Sequence, residues 1–445
     1  MRNANASILV GLLWCLALLS VVVIGVLHTA RLDLLVVKNY GDRIQAHYLA
    51  LAGVEKAKAL LFQNAKDRSR NGKNHTGEIY DDAQQFRDVS FGRGQFRVIR
   101  RGRQDEGGGI IYGVSDEESR LNINQASVDQ FTNVLGMTPD IAAAIIDWRS
   151  DDNSPITPGG AKSDYYSSLQ PPYLPRNGPF QTVRELLMVR GVTAELLFGQ
   201  DADQNGLLST DGDGGDAMPS DTQGNALEDA GWSALMTVDS TVDDVSAAGQ
   251  DRVNIQTADE AALTGVSGIT SGIAKAIIAY RGQNQFKTVI DLLDVVAPNQ
   301  SQSGRTNASS STPTGPKVIS EDLLRDVADE LTAASAQSLP GVINVNTAGI
   351  DVLTCLPGVD RQLAQAIISY RQSEGFLPNV AWLLKVPGMT RDILKQIAPL
   401  VSVRSETFRI MSEGRVKSSG ARQRIQVIVH VGQTDIDTLS YREDL

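Results

Sequence analysis

The chain has 445 residues, 42% of them apolar, and a formal net charge of −11. The length allows two or more domains, and the apolar fraction is sufficient for an ordinary globular core. An acidic chain argues against a nucleic-acid-binding protein, whose domains are usually basic. The four histidines are scattered and have no His or Cys neighbour at metal-ligand spacing, which argues against a zinc enzyme.

An uncharged apolar run, ILVGLLWCLALLSVVVIGVL, occupies residues 8–27. Twenty helical residues span about 30 Å, the thickness of the bilayer hydrocarbon. A cleaved secretory signal is the alternative, but its apolar centre would be shorter and a small-residue cleavage site would follow it. The run therefore predicts a membrane anchor.

The helical pattern continues beyond this run to about Phe62. Apolar or small residues recur at spacings of three and four and form one stripe: Leu34, Val37, Gly41, Ile44, Tyr48 and Leu51. Two interpretations remain open. The stripe belongs either to a juxtamembrane helix packed on its own domain or to a pilin-type helix that packs into a filament.

Four segments read as β-strands. FRVIRR (96–101) and GIIYGV (109–114) are separated by a turn-rich stretch, and TFRIMSEG (407–414) and RIQVIVHV (424–431) lie near the C-terminus. Strands from the two ends of a chain commonly pair. We therefore expect one small antiparallel sheet into which everything between is inserted.

A three-fold repeat fills the middle of the chain. LNINQASVDQF, VNIQTADEAAL and INVNTAGIDVL begin at residues 121, 253 and 343. Five positions agree in all three copies without a gap, and the last is an arginine: Arg149, Arg281 and Arg371. Each copy predicts a short helix, a tight turn at a glycine (Gly136, Gly268 and Gly358) and a second helix. A related apolar half follows each copy, so every unit reads as two successive helix-hairpin-helix motifs.

Helix-hairpin-helix motifs often grip nucleic-acid phosphates through backbone N–H groups and nearby cations. Here the usual second glycine of the turn is replaced by Thr138, Thr270 and Asp360, and none of the three copies has a net positive charge. The recurrent arginine can complement the dipole of its helix. The pattern favours a structural scaffold over a DNA grip.

An acidic insertion spans 199–250, and no Lys or Arg occurs between Arg190 and Arg252. Its densest part resembles an EF-hand loop, in which oxygen ligands alternate around a glycine. The candidate calcium ligands are Asp201, Asp203, Asn205, the carbonyl of Leu207, Asp211, Asp213 and Asp216. A solvated acidic loop is the alternative; we expect calcium because so many uncompensated carboxylates fold poorly without a cation. Residues 299–316, rich in Ser, Thr and Asn, are predicted to be a flexible loop.

The order of these segments resembles the type II secretion minor pseudopilin K family. The resemblance rests on YLALAGVEKAKALL (48–61), VSDEESRLNINQAS (114–127), the long stretch 147–192, INVNTAGIDVLTCLPG (343–358) and the closing strands. It implies an α+β fold with a pilin-like long N-terminal helix, a small antiparallel sheet, and a large inserted helical domain containing the helix-hairpin-helix repeats.

The resemblance also implies how the chain is divided. Residues 1–6 would be a prepilin leader and 7–66 the transmembrane and amphipathic helix. Residues 67–120 would begin the sheet domain, 121–400 would form the inserted domain, and 401–445 would complete the sheet.

The family is processed by prepilin peptidase, which here would cut between Ala6 and Ser7; family members have glycine where this chain has Ala6. The fifth mature position, Gly11, lacks the glutamate of most pilins, as is typical of the K type. Family members bind calcium and sit at the pseudopilus tip with other minor pseudopilins. The resemblance therefore implies a single-pass protein of the bacterial inner membrane with its bulk in the periplasm.

These expectations define a non-enzymatic minor pseudopilin that initiates pseudopilus assembly and supports protein export across the outer membrane. No nucleic acid is expected as a partner. The alternative is a membrane-anchored DNA receptor of the competence type, which also uses paired helix-hairpin-helix motifs.

Overall fold

The computed structural model describes residues 4–73, 77–199, 201, 231–297 and 316–443. The chain begins with one helix of 68 residues, α1 (Ala4–Asn71). Its apolar half makes it the one candidate membrane-spanning helix among the described residues. It continues past the expected end near residue 66 because its last turn is held by the domain: Arg68 is buried and bonds Glu406 across 3.3 Å.

The face of α1 that packs on the chain's own sheet consists mainly of small residues. Ala46, Ala50, Gly53 and Ala57 are spaced four, three and four residues apart, and the three alanines are fully buried. The sheet approaches so closely that a Cβ atom on Gly53 would overlap the hydroxyl of Ser412. A side chain larger than glycine does not fit at position 53, whereas Leu49, Val54 and Leu61 are buried beside this closest approach.

The predicted apolar stripe faces the other way. Val37, Ile44 and Tyr48 are 68%, 42% and 65% exposed. Tyr48 lies two residues from both Ala46 and Ala50, about half a turn around the helix. The stripe is therefore exposed as far as Tyr48, whereas its last residue, Leu51, lies partly buried against the core between α1 and the sheet.

After α1 the chain forms a one-turn helix (Ala83–Phe86) and the first strands of the sheet. These are β1 (Val89–Phe91), β2 (Gly94–Arg101), β3 (Ile110–Ile111) and β4 (Ser115–Asp116). β2 pairs with β3 only at Arg100 and Arg101, so the predicted hairpin is shorter than expected. The chain turns away at this point, which allows β4 to pair with a C-terminal strand instead.

Eight short strands follow in the insertion: β5 (Leu121–Asn122), β6 (Met236–Thr237), β7 (Thr241–Asp243), β8 (Val253–Asn254), β9 (Leu331–Thr332), β10 (Ser338–Pro340), β11 (Ile343–Asn344) and β12 (Val401–Ser402). Three parallel pairs, β5 with β6, β8 with β9 and β11 with β12, each join the first and last residues of one repeat unit. Each unit is thus closed on itself.

Short helices fill the three units. The first contains Val128–Thr132, Pro139–Arg149, Ser163–Ser167 and Ala194–Phe198, and the second contains Glu260–Gly265, Ser271–Arg281 and Glu321–Val327. The third contains Ile350–Leu353, Arg361–Glu374 and Arg391–Ile397. A 3₁₀ segment lies in the downstream half of each unit: Val183–Met188, Val289–Asp294 and Val380–Lys385. One apolar core runs through all three units.

The C-terminal strands complete the large sheet: β13 (Thr407–Val416), β14 (Arg422–Val431) and β15 (Ile436–Glu443). The main strand order is β1-β2-β13-β14-β15, and the antiparallel register of β2 and β13 aligns Ile99 with Met411. The strands from the two ends of the chain therefore pair, and the predicted α+β fold is confirmed. The edge strand β15 was not predicted because most of its side chains are exposed, and it shows no alternation of buried and exposed positions.

Candidate functional site

The hairpin glycines lie in left-handed turns between the two helices of each first hairpin. Gly136, Gly268 and Gly358 have φ values of 78°, 96° and 74°. Such values favour glycine because it has no Cβ atom. Gly191 and Gly388 adopt the same conformation (83° and 88°) in the second hairpins of the first and third units.

The N-terminus of each second helix is already occupied by a side chain of the protein. Thr138, Thr270 and Asp360 are the N-cap residues, and their oxygens accept hydrogen bonds from the amides of Ile141, Ile273 and Leu363. These are the residues that replace the second glycine of the nucleic-acid-binding turn. A phosphate would have to compete with a built-in acceptor, and at Asp360 with a negative charge.

Basic side chains beside the turns are also paired. Lys275 lies 3.6 Å from Glu260, and Arg361 lies 3.5 Å from Asp351. Cations that are already compensated release fewer counterions on contact with DNA, which weakens non-specific binding. The geometry therefore disfavours the DNA-receptor alternative.

We expect the full-length protein in detergent to show no salt-sensitive binding to double-stranded DNA. Phosphate contacts make affinity fall steeply with salt, so a mobility shift at low salt is the most sensitive measurement. A shift in the micromolar range that disappears near about 0.2 M salt would contradict this expectation.

The recurrent arginine has a role that the sequence analysis missed. Each guanidinium donates to two backbone carbonyls 26 and 23 residues earlier, at the start of its own unit. Arg281 donates to Ile255 and Ala258 at 3.2 and 2.6 Å, and Arg371 donates to Val345 and Ala348 at 2.9 and 2.7 Å. Arg149 makes the equivalent bonds to Ile123 and Ala126. The arginine clamps the second helix to the strand that opens the unit, in addition to any interaction with the helix dipole.

A second clamp joins the two hairpins of each unit. The side-chain oxygens of Asn124, Gln256 and Asn346 accept from the backbone amides of Phe180, Phe286 and Leu377, respectively, at 2.7–3.0 Å. In the third unit the clamped residue is therefore Leu377. The preceding phenylalanine, Phe376, packs against the core between α1 and the sheet.

The closing strand of each unit also repeats, and this too was missed. LMTVDS (235–240), ELTAAS (330–335) and LVSVRS (400–405) align on a hydroxyl residue that accepts from the amide two residues later. Residues 231–250, which were predicted to belong to the acidic insertion, therefore include the end of the first unit. The shared hydroxyl and the final serine were the available sequence signal.

The third unit is attached to the sheet through its arginine. Arg371 donates to Asp105 at 2.9 Å, and Asp105 lies in the loop between β2 and β3. Burial raises the pKa of Asp105, but Arg103 and Arg371 outweigh this effect and hold the pKa below its ordinary value. A nearby carboxylate, Glu106, forms a bidentate pair with Arg100 of β2 at 2.8 Å.

The sequence-predicted processing site lies at the start of α1. Ala6 and Ser7 are in its first turns, and Gly11 is exposed with no atom near the position of a Cβ. Among the described residues, none fills the space beside Gly11.

Most of the predicted calcium loop lies outside the described residues: Asp203, Asn205, Leu207, Asp211, Asp213 and Asp216. Asp201 is described and buried. Its charge acts on Arg442, raising the pKa of that guanidinium against the larger lowering effect of burial. Asp201 thus already faces a cation of the protein.

One other group of possible metal ligands occurs in the described part of the chain. Oxygen and nitrogen atoms of Asp243, Glu406 and His430 lie within 4.8 Å of one another. Glu406, however, lies 3.3 Å from Arg68 and 3.5 Å from Arg404. Two guanidinium groups beside the buried carboxylate compensate its charge without a metal.

Comparisons with known proteins match separate parts of the chain. Residues 112–198 match the family model for type II secretion system (T2SS), protein K, and residues 249–297 and 341–402 match the helix-hairpin-helix motif. The type II secretion system protein K of Klebsiella pneumoniae is 31% identical over 163 residues, covering 35% of this chain and 48% of that protein.

A second relative is not named as a secretion protein. Endonuclease/exonuclease/phosphatase family domain-containing protein 1 of Rattus norvegicus is 28% identical over 156 residues, covering 33% of this chain and 27% of that protein. The chain thus spans about a quarter to a half of the length of these relatives.

A solved structure, the GspK-GspI-GspJ complex of the enterotoxigenic Escherichia coli type 2 secretion system, contains a similar chain. The two share 13% identity with a TM-score of 0.45, covering 90% of this chain and 98% of that one.

A membrane-length helix packed on a small antiparallel sheet, with a helical insertion between the strands, defines a pilin-type protein. The match over residues 112–198 begins at the end of that sheet's first half and covers both hairpins of the first unit. Residues 112–198 are therefore similar to the type II secretion system protein K family, and the architecture of the chain is pilin-like.

Proposed function

We propose that this protein is a minor pseudopilin at the tip of the type II secretion pseudopilus. It initiates assembly and thereby supports protein export across the outer membrane. The observation that carries the proposal is the exposed apolar stripe of α1, which lies opposite the small-residue face that binds the chain's own sheet. A helix with two such faces is suited to hold its own domain on one side and a neighbouring subunit on the other.

The proposed partners are other minor pseudopilins, whose N-terminal helices pack along this stripe. The proposed location is the bacterial inner membrane, crossed once, with the bulk of the chain in the periplasm. Prepilin peptidase would remove MRNANA, so that the mature chain begins at Ser7. Mass spectrometry of the purified N-terminus distinguishes this start from an unprocessed Met1.

Polar substitution of the stripe tests the proposal. The double variant Ile44→Ser, Tyr48→Ser should lose co-purification with the other minor pseudopilins, because the apolar area that drives association is reduced. Its thermal midpoint should stay close to that of the wild type, since both side chains are exposed. The matched control is Lys38→Ser, Arg43→Ser on the same helix, which should retain the partners. Equal co-purification of both variants would refute the docking face.

The tip position follows from two features. An unpaired carboxylate in the membrane is costly, so a subunit that carries one gains by pairing it with a neighbour. Gly11 supplies no such carboxylate. The subunit would accept neighbours below it and require none above. The inserted domain, predicted to span 121–400, is too bulky to repeat along a thin fibre. Gly11→Glu should therefore weaken assembly by adding a charge that has no partner.

The proposed role is structural rather than enzymatic. The rat relative carries nuclease and phosphatase terms in its name, but the match covers only 27% of that protein. In the hairpin units of this chain, polar groups form hydrogen bonds within the unit, as Arg149, Arg281 and Arg371 do.

Calcium binding by the acidic segment is part of the proposal. A bound ion would offset the carboxylate repulsion and stabilise the fold by about 2.7 kcal/mol at a free concentration 100 times the dissociation constant. The thermal midpoint should fall in chelator, and Asp203→Ala, Asp213→Ala should abolish this response. The chelator response of Asp201→Ala is compared with that of the double variant, because Asp201 already faces Arg442. An unchanged midpoint in chelator, or a full response in the Asp203→Ala, Asp213→Ala variant, would exclude calcium at this loop.

A further inference from the structure

Three consecutive carboxylates, Asp116, Glu117 and Glu118, lie at the junction between the large sheet and the inserted domain, and all three are buried. Glu117 has its own cations: Arg409 lies 2.7 Å away and Arg120 lies 3.8 Å away. Burial raises the pKa of Glu117, but these two guanidinium groups outweigh burial and hold it below the ordinary value. Glu117 is therefore ionised in the folded protein.

The two flanking carboxylates are in a different situation. Asp116 accepts hydrogen bonds from Ser405 at 2.6 Å, from Asn344 at 3.2 Å and from the hydroxyl of Thr347, and its other oxygen accepts from the amide of Glu118 at 2.8 Å. Its four donors suit an ionised carboxylate. No ion pair to a Lys, Arg or His is found for Asp116 or Glu118 among the described residues.

Glu118 lies against Asp116 and bridges two parts of the fold. Its side chain accepts from the amide of Thr407 in β13 at 3.2 Å and from the amide of Thr241 in β7 at 3.1 Å. Its backbone carbonyl accepts from Asn344 in β11 at 2.8 Å. One residue thus joins the sheet, the end of the first unit and the start of the third.

We propose that Asp116 and Glu118 share one proton, carried by Glu118, and that this protonated pair fastens the inserted domain to the sheet. Two ionised carboxylates in contact would repel each other at this buried site, and the ion pairs of Arg409 and Arg120 are made with Glu117. A shared proton removes one charge and supplies the hydrogen that binds one carboxyl group to the other. The pair is therefore a pH-sensitive lock built into the domain junction.

The other groups that face the pair do not replace the proton. Tyr80 is a neighbour, and its pKa is raised well above the ordinary value by burial and then by Asp116. Arg100 is committed to the carbonyl of Tyr80 and to Glu106. His430 contacts the hydroxyl of Thr407 at 3.4 Å, whereas Glu118 accepts from the backbone amide of Thr407.

The direction of the pH dependence follows from linkage. The pKa of Glu118 is raised well above its ordinary value, first by burial and then by Asp116. The unfolded chain therefore releases this proton at a lower pH than the folded protein does. The lock contributes fully below the unfolded pKa, and its contribution is lost as pH rises towards the folded pKa.

Glu118→Gln tests the lock because glutamine has the shape of the protonated acid and cannot ionise. Between about pH 5 and pH 8, the unfolding equilibrium constant of the wild type should rise by up to about tenfold per pH unit relative to that of Glu118→Gln, until Glu118 ionises. The measurement is denaturant unfolding of the full-length protein in detergent at several pH values. Parallel pH curves for the two proteins would overturn the proposal.

Infrared spectroscopy of the wild type reads the proton directly and does not depend on a variant that folds. A protonated-carboxyl C=O band should be present at neutral pH and should disappear on alkaline titration. Glu118→Gln should remove the band, while the control Asp239→Asn, at a half-buried acid whose pKa is also raised by burial, should retain the Glu118 component. A neutral-pH spectrum without a protonated-carboxyl band would contradict the lock.

Discussion

Arg371→Ala is expected to lower the free energy of unfolding by at least about 3 kcal/mol, because it removes hydrogen bonds from a buried charged group to two carbonyls and a carboxylate. Arg371 is 6% exposed and binds two backbone carbonyls together with the carboxylate of Asp105. Its removal leaves those carbonyls without this donor and leaves Asp105 with Arg103 as its partner. Denaturant unfolding of the full-length protein measures the loss.

Arg281→Ala is the matched control. Arg281 makes the same two carbonyl bonds in the second unit, where the guanidinium is partly exposed. Its loss should cost about 1.5–3 kcal/mol, the range for hydrogen bonds to a charged group. The difference between the two variants isolates the attachment of the third unit to the sheet. Equal losses would show that the Asp105 contact contributes nothing.

Gly414→Val is expected to destabilise the packing of α1 on the sheet by at least about 3 kcal/mol, the upper end of the usual overpacking cost. A Cβ atom on Gly414 would overlap the carbonyl oxygen of Ala46 and the amide of Ala50. Both are backbone atoms of a long helix and cannot rotate away, so the helix itself must move off the sheet.

Gly41→Ala is the control on the helix. No atom lies within 4 Å of a Cβ at this position, and alanine is a better helix former than glycine by about 1 kcal/mol. The variant should keep or slightly raise the thermal midpoint. A Gly414→Val protein that unfolds at the wild-type midpoint would show that the close approach of helix and sheet is wrong.

The repeat, the hairpin turns and the pairing of the terminal strands could be predicted from the sequence. These features rest on local signals: glycines at fixed offsets, apolar periodicity, and strand-forming runs at both ends of the chain. The closing strands of the units were missed because each contains only two residues and its partner lies 58 to 115 residues away along the chain. The partner residues of the recurrent arginine were missed for a related reason, since the distance of 23 residues from its carbonyl acceptors becomes short only after the hairpin has folded.

The packing face of α1 shows a different limit. Large apolar residues such as Val37 and Tyr48 form the most conspicuous helical pattern, and such patterns usually mark the buried face. Here small residues lie at the closest approach to the sheet, and the large residues of the stripe as far as Tyr48 remain exposed. The spacing of Ala46, Ala50, Gly53 and Ala57 carried that information, but small residues give only a weak hydropathy signal.

The central claim is that this protein occupies the tip of the pseudopilus and does not form its shaft. Quantitative labelling of isolated filaments tests it most directly, with the label placed on the exposed part of the inserted domain. The account predicts one copy per filament, located at one end. Copies distributed along the shaft in numbers like those of the major subunit would contradict it.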